Sequence, residues 1–277
     1  MARRKSFIQS SIGDILEFLK RVLFADETAA LPGLLQSLDP RVKVATLTAF
    51  LFLTLFTHSI WMLGLLYLLC LVMVVLSGIH LGSFLLRTWV FIPLFSLLIA
   101  VPALFSFVSP GTVVFSIGSM SVTRQGIMAV AFFIGRVITS VSLTVLLSMT
   151  TRHVELLKAL RAFGVPQMFV MVLGISYRYI YLFVEIVENT YRAIKSRVGT
   201  DMHYRKGQRI VAWNMAQLWK RSYQLNEQVY SAMLSRGFNG EPVSLSHSEA
   251  RTRDGFWLAG CIAILGLLIY AEWGIGI

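Results

Sequence analysis

Apolar residues in this chain come in long blocks with short polar breaks, and the blocks approach the roughly 20 residues that a bilayer-spanning helix needs. Val44 to Thr57 is almost purely apolar, His58 and Ser59 break it, and Ile60 to Leu76 follow as a second block. So short a break predicts an antiparallel helical hairpin. Ser77 to Arg87 contains Gly78, Gly82 and Arg87 and returns the chain to an interface. Trp89 to Phe107 is a third block, in which Pro93 and Pro102 are expected to introduce kinks. Residues 108–123 form an uncharged loop where Val113, Val114, Phe115 and Ile117 suit a short hairpin. A fourth block runs from Arg124 to Ser148 with Arg136 in its middle, and a last from Phe256 to Tyr270, capped by the interfacial residues Glu272 and Trp273. The expected fold is therefore all-α and polytopic, with about five transmembrane helices.

Between the fourth and last blocks the pattern changes. Residues 152–163, with Arg152, His153, Glu155, Lys158 and Arg161, predict a short amphipathic helix that stops at Gly164 and Pro166. From Met168 to Val187 the chain is apolar enough to pass for a span. Arg178, Glu185 and Arg192 nevertheless recur every seven residues there, with Glu188 and Lys195 on the same face. One charged stripe along a helix of about thirty residues predicts an amphipathic element lying against the membrane helices; a true span is the alternative. Residues 199–207 read as a polar connection, and a second long helix is expected from Gln208 to Ser235, ended by Asn239, Gly240 and Pro242. At the other end, Phe7, Ile8, Ile12, Ile15, Leu16, Leu19, Val22 and Leu23 recur at helical spacing over residues 6–24. An interfacial amphipathic helix is expected there, or else a loosely ordered tail. Asp14, Glu17, Lys20 and Arg21 interrupt any signal-peptide pattern.

Charge sets the orientation. The chain of 277 residues is 56% hydrophobic and 14% charged, with a formal net charge of +11. Its mean hydropathy of +0.70 is far from that of a soluble domain. The 58–60 turn and the loop at 108–123 lack Lys and Arg, whereas the segments before 44, around 80–87 and after 150 are basic. By the positive-inside rule the N-terminus is cytoplasmic, and four spans return the chain there by residue 150. Residues 151–254 hold 15 Lys and Arg against 8 Asp and Glu, a net of +7. A single crossing at 168–187 would place much of that charge outside, so parity argues against it. The expected organisation is an interfacial segment over 1–40, four spans over 41–150, a cytoplasmic coupling-helix region over 151–254 and a last span over 255–277.

That cytoplasmic region carries an internal repeat. Residues 188–197 and 227–236 match at five positions with one offset: Glu188 and Glu227, Tyr191 and Tyr230, Ala193 and Ala232, Ser196 and Ser235, Arg197 and Arg236. Both segments close a long predicted helix. An arginine there is stabilised by the helix macrodipole by about 0.3–1 kcal/mol, which accounts for the arginines as good end residues but not for the matched Glu, Tyr, Ala and Ser. Small residues beside a long guanidinium let a helix end enter a groove and meet a carboxylate with forked hydrogen bonds. Two such ends suit a partner with two equivalent grooves.

The segments Ala-Met-Leu-Ser-Arg-Gly-Phe-Asn-Gly (232–240), Ala-Ile-Lys-Ser-Arg-Val (193–198) and Gly-Leu-Leu-Gln-Ser-Leu-Asp-Pro-Arg-Val-Lys (33–43) resemble the transmembrane T component of energy-coupling factor transporters, most of all the cobalt/nickel type, CbiQ. The resemblance implies a subunit that joins two ABC-type ATPases to a substrate-binding membrane (S) subunit in the bacterial cytoplasmic (inner) membrane. It also implies crossed coupling helices, each ending in an Ala-Arg-X motif seated in an ATPase groove. Carried over, the motifs are Ser196-Arg197-Val198 and Ser235-Arg236-Gly237, with Ser where Ala is usual.

Other chemistry finds little support. The expected spans contain no Asp or Glu apart from Glu272, and His58, His80, His153, His203 and His247 show no HxxxH or HExxH spacing. Cys70 and Cys261 lie in apolar blocks as small hydrophobes, so no metal site and no cofactor are expected. No P-loop and no nucleic-acid fingerprint are present, so the chain is expected to be no enzyme and no nucleic-acid binder. Arg136 is expected to pair with backbone or polar groups inside the bundle, with a substrate role as the alternative. The rival functions are the membrane subunit of a conventional ABC importer, a T component serving a vitamin importer, and an intramembrane enzyme.

Overall fold

The computed structural model describes residues 33–89, 92–104, 112–117, 120–198, 204–240 and 252–275. The expectation for residues 6–24 lies outside them. The elements are α1 (Pro40–Phe56), α2 (Ile60–Leu76), α3 (Leu81–Trp89), α4 (Ile92–Ala100), a 3-10 turn (Val101–Leu104), β1 (Val113–Ile117), β2 (Met120–Thr123), α5 (Arg124–Thr150), α6 (His153–Ala162), α7 (Gln167–Val198), α8 (Tyr204–Ser235) and α9 (Thr252–Ile275). The all-α polytopic reading stands. The hairpin expected in the uncharged loop forms too, with Phe115 opposite Val122 and Ile117 opposite Met120.

The chain divides into two compact units, one holding Asp26–Ala159 with Ser248–Ile277, the other holding Leu160–His247. In the first, α5 is the central helix and packs against α1, α2, α3 and α4, while α9 packs on α1. The core consists of Leu47, Phe50 and Leu53 from α1, Leu66, Cys70 and Val74 from α2, Leu143, Leu146 and Met149 from α5, and Cys261 and Leu268 from α9. Large apolar side chains also face outward, Phe56, Trp61, Leu86, Leu98 and Tyr270 among them, with Trp61 87% exposed. A soluble protein would not carry so many, and in lipid they are the contact surface. Four buried hydroxyls in and at the ends of the helices are satisfied locally, as a bilayer favours: Thr57, Ser77, Thr88 and Thr150 each donate to the carbonyl four residues back.

Among the described residues, length and composition alone qualify three helices as spans, at Arg124–Thr150, Gln167–Ile194 and Thr252–Glu272. The first and third contain the expected fourth and last spans. The helices α1 and α2 have 17 residues each, about 25 Å at 1.5 Å per residue. In the third block the described residues form α3 up to Trp89 and α4 from Ile92, with Pro93 near the start of α4. Pro102 lies in the 3-10 turn. The second long helix starts earlier than expected, at Tyr204, so residues 204–207 belong to it and not to the connection.

Turns are built from recognisable devices. Asp39 caps α1 by accepting from Arg41 N at 2.8 Å, with Pro40 as its first residue. Gly78 and Gly164 adopt φ of 66° and 86° and close α2 and α6 in Schellman geometry. Segment 33–38 caps the end of α2: Leu34 N donates to Leu76 O at 3.3 Å and Gln36 Nε2 to Ser77 O at 3.1 Å. A Cβ at Gly33 would overlap the Ser77 carbonyl and the Gln36 side chain. Gly33→Ala is therefore expected to destabilise the protein by about 1–3 kcal/mol, read as a lower melting temperature in detergent.

Candidate functional site: two exposed helix ends

The second unit is helical. The helix α7 runs unbroken for 32 residues from just after Pro166, the length its pattern predicts, and Arg178, Glu185 and Arg192 lie exposed along it. Both α7 and α8 end in the repeated segment. At the end of α7, Ala193, Ser196 and Arg197 are exposed, and the helix continues to Val198. At the end of α8, Ala232, Ser235, Arg236 and Gly237 are exposed. The two arginines thus present exposed guanidinium groups near the ends of their described helices, and backbone carbonyls at a helix C-terminus hold a cation favourably.

The matched serines behave alike. Ser196 Oγ donates to Ala193 O at 2.9 Å and Ser235 Oγ to Ser231 O at 3.0 Å. Each hydroxyl is turned onto its own helix, leaving a small outward surface close to that of alanine. Ser196→Ala and Ser235→Ala are therefore expected to leave partner binding within about twofold, since a surface substitution of this kind shifts energies by under about 0.5 kcal/mol. A loss beyond tenfold in pull-down would show that the hydroxyls contact a partner.

The end of α8 is a constructed stop. Gly237 has φ of 80°, Phe238 N donates to Met233 O at 3.1 Å, and Gly237 N to Leu234 O at 3.0 Å. This is a Schellman motif with Arg236 at the C-cap and Gly237 after it. Gly237 earns its place through backbone conformation, a role that its membership of a three-residue docking motif did not reveal. The glutamates of the repeat differ. Glu188 pairs with Arg192 Nη2 at 2.6 Å one turn on, whereas Ser231 occupies the equivalent position after Glu227. Tyr230 is exposed and belongs to a longer feature, for Met215, Trp219, Tyr223, Tyr230 and Leu234 recur at helical spacing along α8 and all are exposed.

Two polar contacts in the first unit join residues far apart in the chain. Arg136 donates from Nη2 to Thr57 O at 2.9 Å and lies 4.7 Å over the Phe132 ring. It caps the C-terminal end of α1, the backbone pairing expected of it. Nearby, Glu272 accepts from His58 N at 2.7 Å, tying α9 to the turn between α1 and α2. The other involves Lys43, whose ammonium is buried and donates to Thr150 O at 3.1 Å. In sequence Lys43 is simply one of the basic residues before the first apolar block.

Residues 33–246 match the family CbiQ, described as cobalt transport protein. The chain belongs to this family. An uncharacterized Methanocaldococcus jannaschii protein is 32% identical over 268 residues, covering 96% of this chain and 92% of its own. The energy-coupling factor transporter transmembrane protein EcfT of Lacticaseibacillus paracasei is 25% identical, covering 84% and 92%. The nickel permease LarQ of Lactiplantibacillus plantarum is 28% identical over 123 residues, 44% of each chain. Membership of CbiQ makes the chain a membrane protein of a transport family. The family match spans both copies of the repeat and the segment from Gly33 to Lys43 that caps α2 and opens α1.

Proposed function

We propose that this chain is the energy-coupling T component of an ECF-type ABC importer, with the ends of α7 and α8 as its ATPase-docking points. The observation that carries the reading is the pair of exposed Ser-Arg ends at one sequence offset, each closing a helix of 32 residues. Long, stiff helices with matched tips transmit displacement from two equivalent grooves. The triads Ser196-Arg197-Val198 and Ser235-Arg236-Gly237 dock, and Glu188, Tyr191, Ala193, Glu227, Tyr230 and Ala232 support them. The exposed apolar face of α8 from Met215 to Leu234 suits contact with the substrate-binding membrane subunit. The chain contributes no catalysis of its own. It lies in the cytoplasmic membrane with its N-terminus inside, and α7 stays on the cytoplasmic side.

Cobalt or nickel is the proposed cargo, supported by the family description and by the name of the LarQ relative. Purification of the tagged chain from native membranes tests the reading. Two ATPase chains and a separate small membrane subunit are expected in the preparation, and ATP-driven uptake of cobalt or nickel ions after reconstitution. A preparation without ATPase subunits would sink it.

A further inference from the structure

The turn between α1 and α2 is gripped from two sides. Arg136 Nη2, from α5, donates to Thr57 O at 2.9 Å, and Glu272 Oε1, from α9, accepts from His58 N at 2.7 Å. Thr57 O and His58 N–H belong to one peptide group, which is trans and so points them in opposite directions. The cation therefore holds one end of a single amide dipole and the carboxylate the other, and no ion pair joins the two directly among the described residues. Both charges suit the helix ends that meet here. Arg136 lies at the C-terminal end of α1, and Glu272 near the N-terminal end of α2, where the N-cap Ser59 makes no side-chain cap bond. Thr57 is buried, and its N–H and hydroxyl both donate to Leu53 O, which fixes the residue that carries the carbonyl. The start of α9 is fastened too: Asp254 accepts from Asp39 N, just before α1, at 3.0 Å. The two carboxylates of α9 thus take backbone N–H groups that flank α1 at its start and its end. Cys261 and Leu268, between them in sequence, sit in the core.

We infer that Arg136 and Glu272 act as one latch, coupled through the Thr57–His58 peptide, that holds the last turns of α9 on the turn between α1 and α2. A guanidinium on the carbonyl polarises the amide and makes its N–H the stronger donor. A carboxylate on the N–H makes the carbonyl the stronger acceptor. Each charged group thereby strengthens the other's bond without touching it. The Asp254 bond and the core contacts of Cys261 and Leu268 keep the rest of α9 in place, so opening the latch releases its last turns alone. Arg136 is a positioning residue for a helix end that it does not contact.

The test follows backbone hydrogen exchange in the full chain in nanodiscs, by fragment-resolved mass spectrometry, at the His58 amide and along α9. The variants are Arg136→Gln, Glu272→Gln and the two together. Glu272→Gln is expected to speed exchange at His58 by about tenfold, the worth of one hydrogen bond to a charged group. It should also speed exchange in the last turns of α9 while leaving the turn that holds Asp254 unchanged. Arg136→Gln is expected to speed exchange at His58 severalfold, although its side chain meets only the carbonyl side of the peptide. Coupling makes the double variant exceed Glu272→Gln by a smaller factor than Arg136→Gln exceeds the unaltered chain. If Arg136→Gln does not fold, Arg136→Lys, which keeps the charge but not the planar fork, is held to the same two criteria. The latch is overturned if the change at Arg136 leaves His58 exchange as it was, or if the single effects simply multiply in the double variant. It is overturned equally if the effect of Glu272→Gln spreads evenly along the whole of α9.

Discussion

A chain carrying Arg197→Glu and Arg236→Glu is expected to reach the membrane intact and to lose its ATPase subunits on purification. Each arginine is exposed at the end of its helix. Truncating a charged anchor in a desolvated groove costs about 2–5 kcal/mol, and reversing its sign adds repulsion against the carboxylate it would meet. At about 1.4 kcal/mol per factor of ten, two such losses weaken assembly beyond detection in pull-down. The effect on the chain's own fold is small by comparison. A glutamate at a helix C-terminus is unfavourable by only about 0.3–1 kcal/mol. Single substitutions should give intermediate loss, and Arg236→Lys should fall between them and the unaltered chain, since a lysine keeps the charge but not the fork. Undiminished ATPase in the doubly substituted preparation would rule out these ends as docking points.

The second large effect lies in stability. Lys43→Met removes a buried charged donor, 1% exposed, and leaves the Thr150 carbonyl at the end of α5 without it. Losing a hydrogen bond from a charged group and leaving its buried partner unsatisfied costs about 1.5–3 kcal/mol. Thermal denaturation of the detergent-solubilised chain reads the loss directly. An unchanged melting temperature would mean that the contact between Lys43 and Thr150 carries no stability.

Much of the helical layout was readable from spacing. Gly164 and Pro166 marked the stop before α7, and the apolar blocks the positions of α1, α2, α5 and α9. The beginning of α8 was placed late because Gly207 and its polar neighbours resemble a connection, yet a first turn tolerates them. The repeated ends were found from identity at one offset, which needs no coordinates. That Gly237 serves a Schellman stop, and that both serines bond to their own helices, required the backbone geometry.

What the sequence by itself determined is whatever is written in neighbouring residues: the apolar blocks, the charge asymmetry between loops, the stop at Gly164, and the twin Ser-Arg ends. Tertiary structure alone decided which distant residues share a site. Lys43 meets Thr150 across 107 residues, Asp39 meets Asp254 across 215, and His58 meets Glu272 across 214. No local pattern encodes such pairs, because each lone charge reads as an interfacial residue until a second helix end arrives beside it. The physical reason is that a charge at low dielectric is tolerated only when its partner is in place, and that partner is brought there by the packing of α1, α5 and α9.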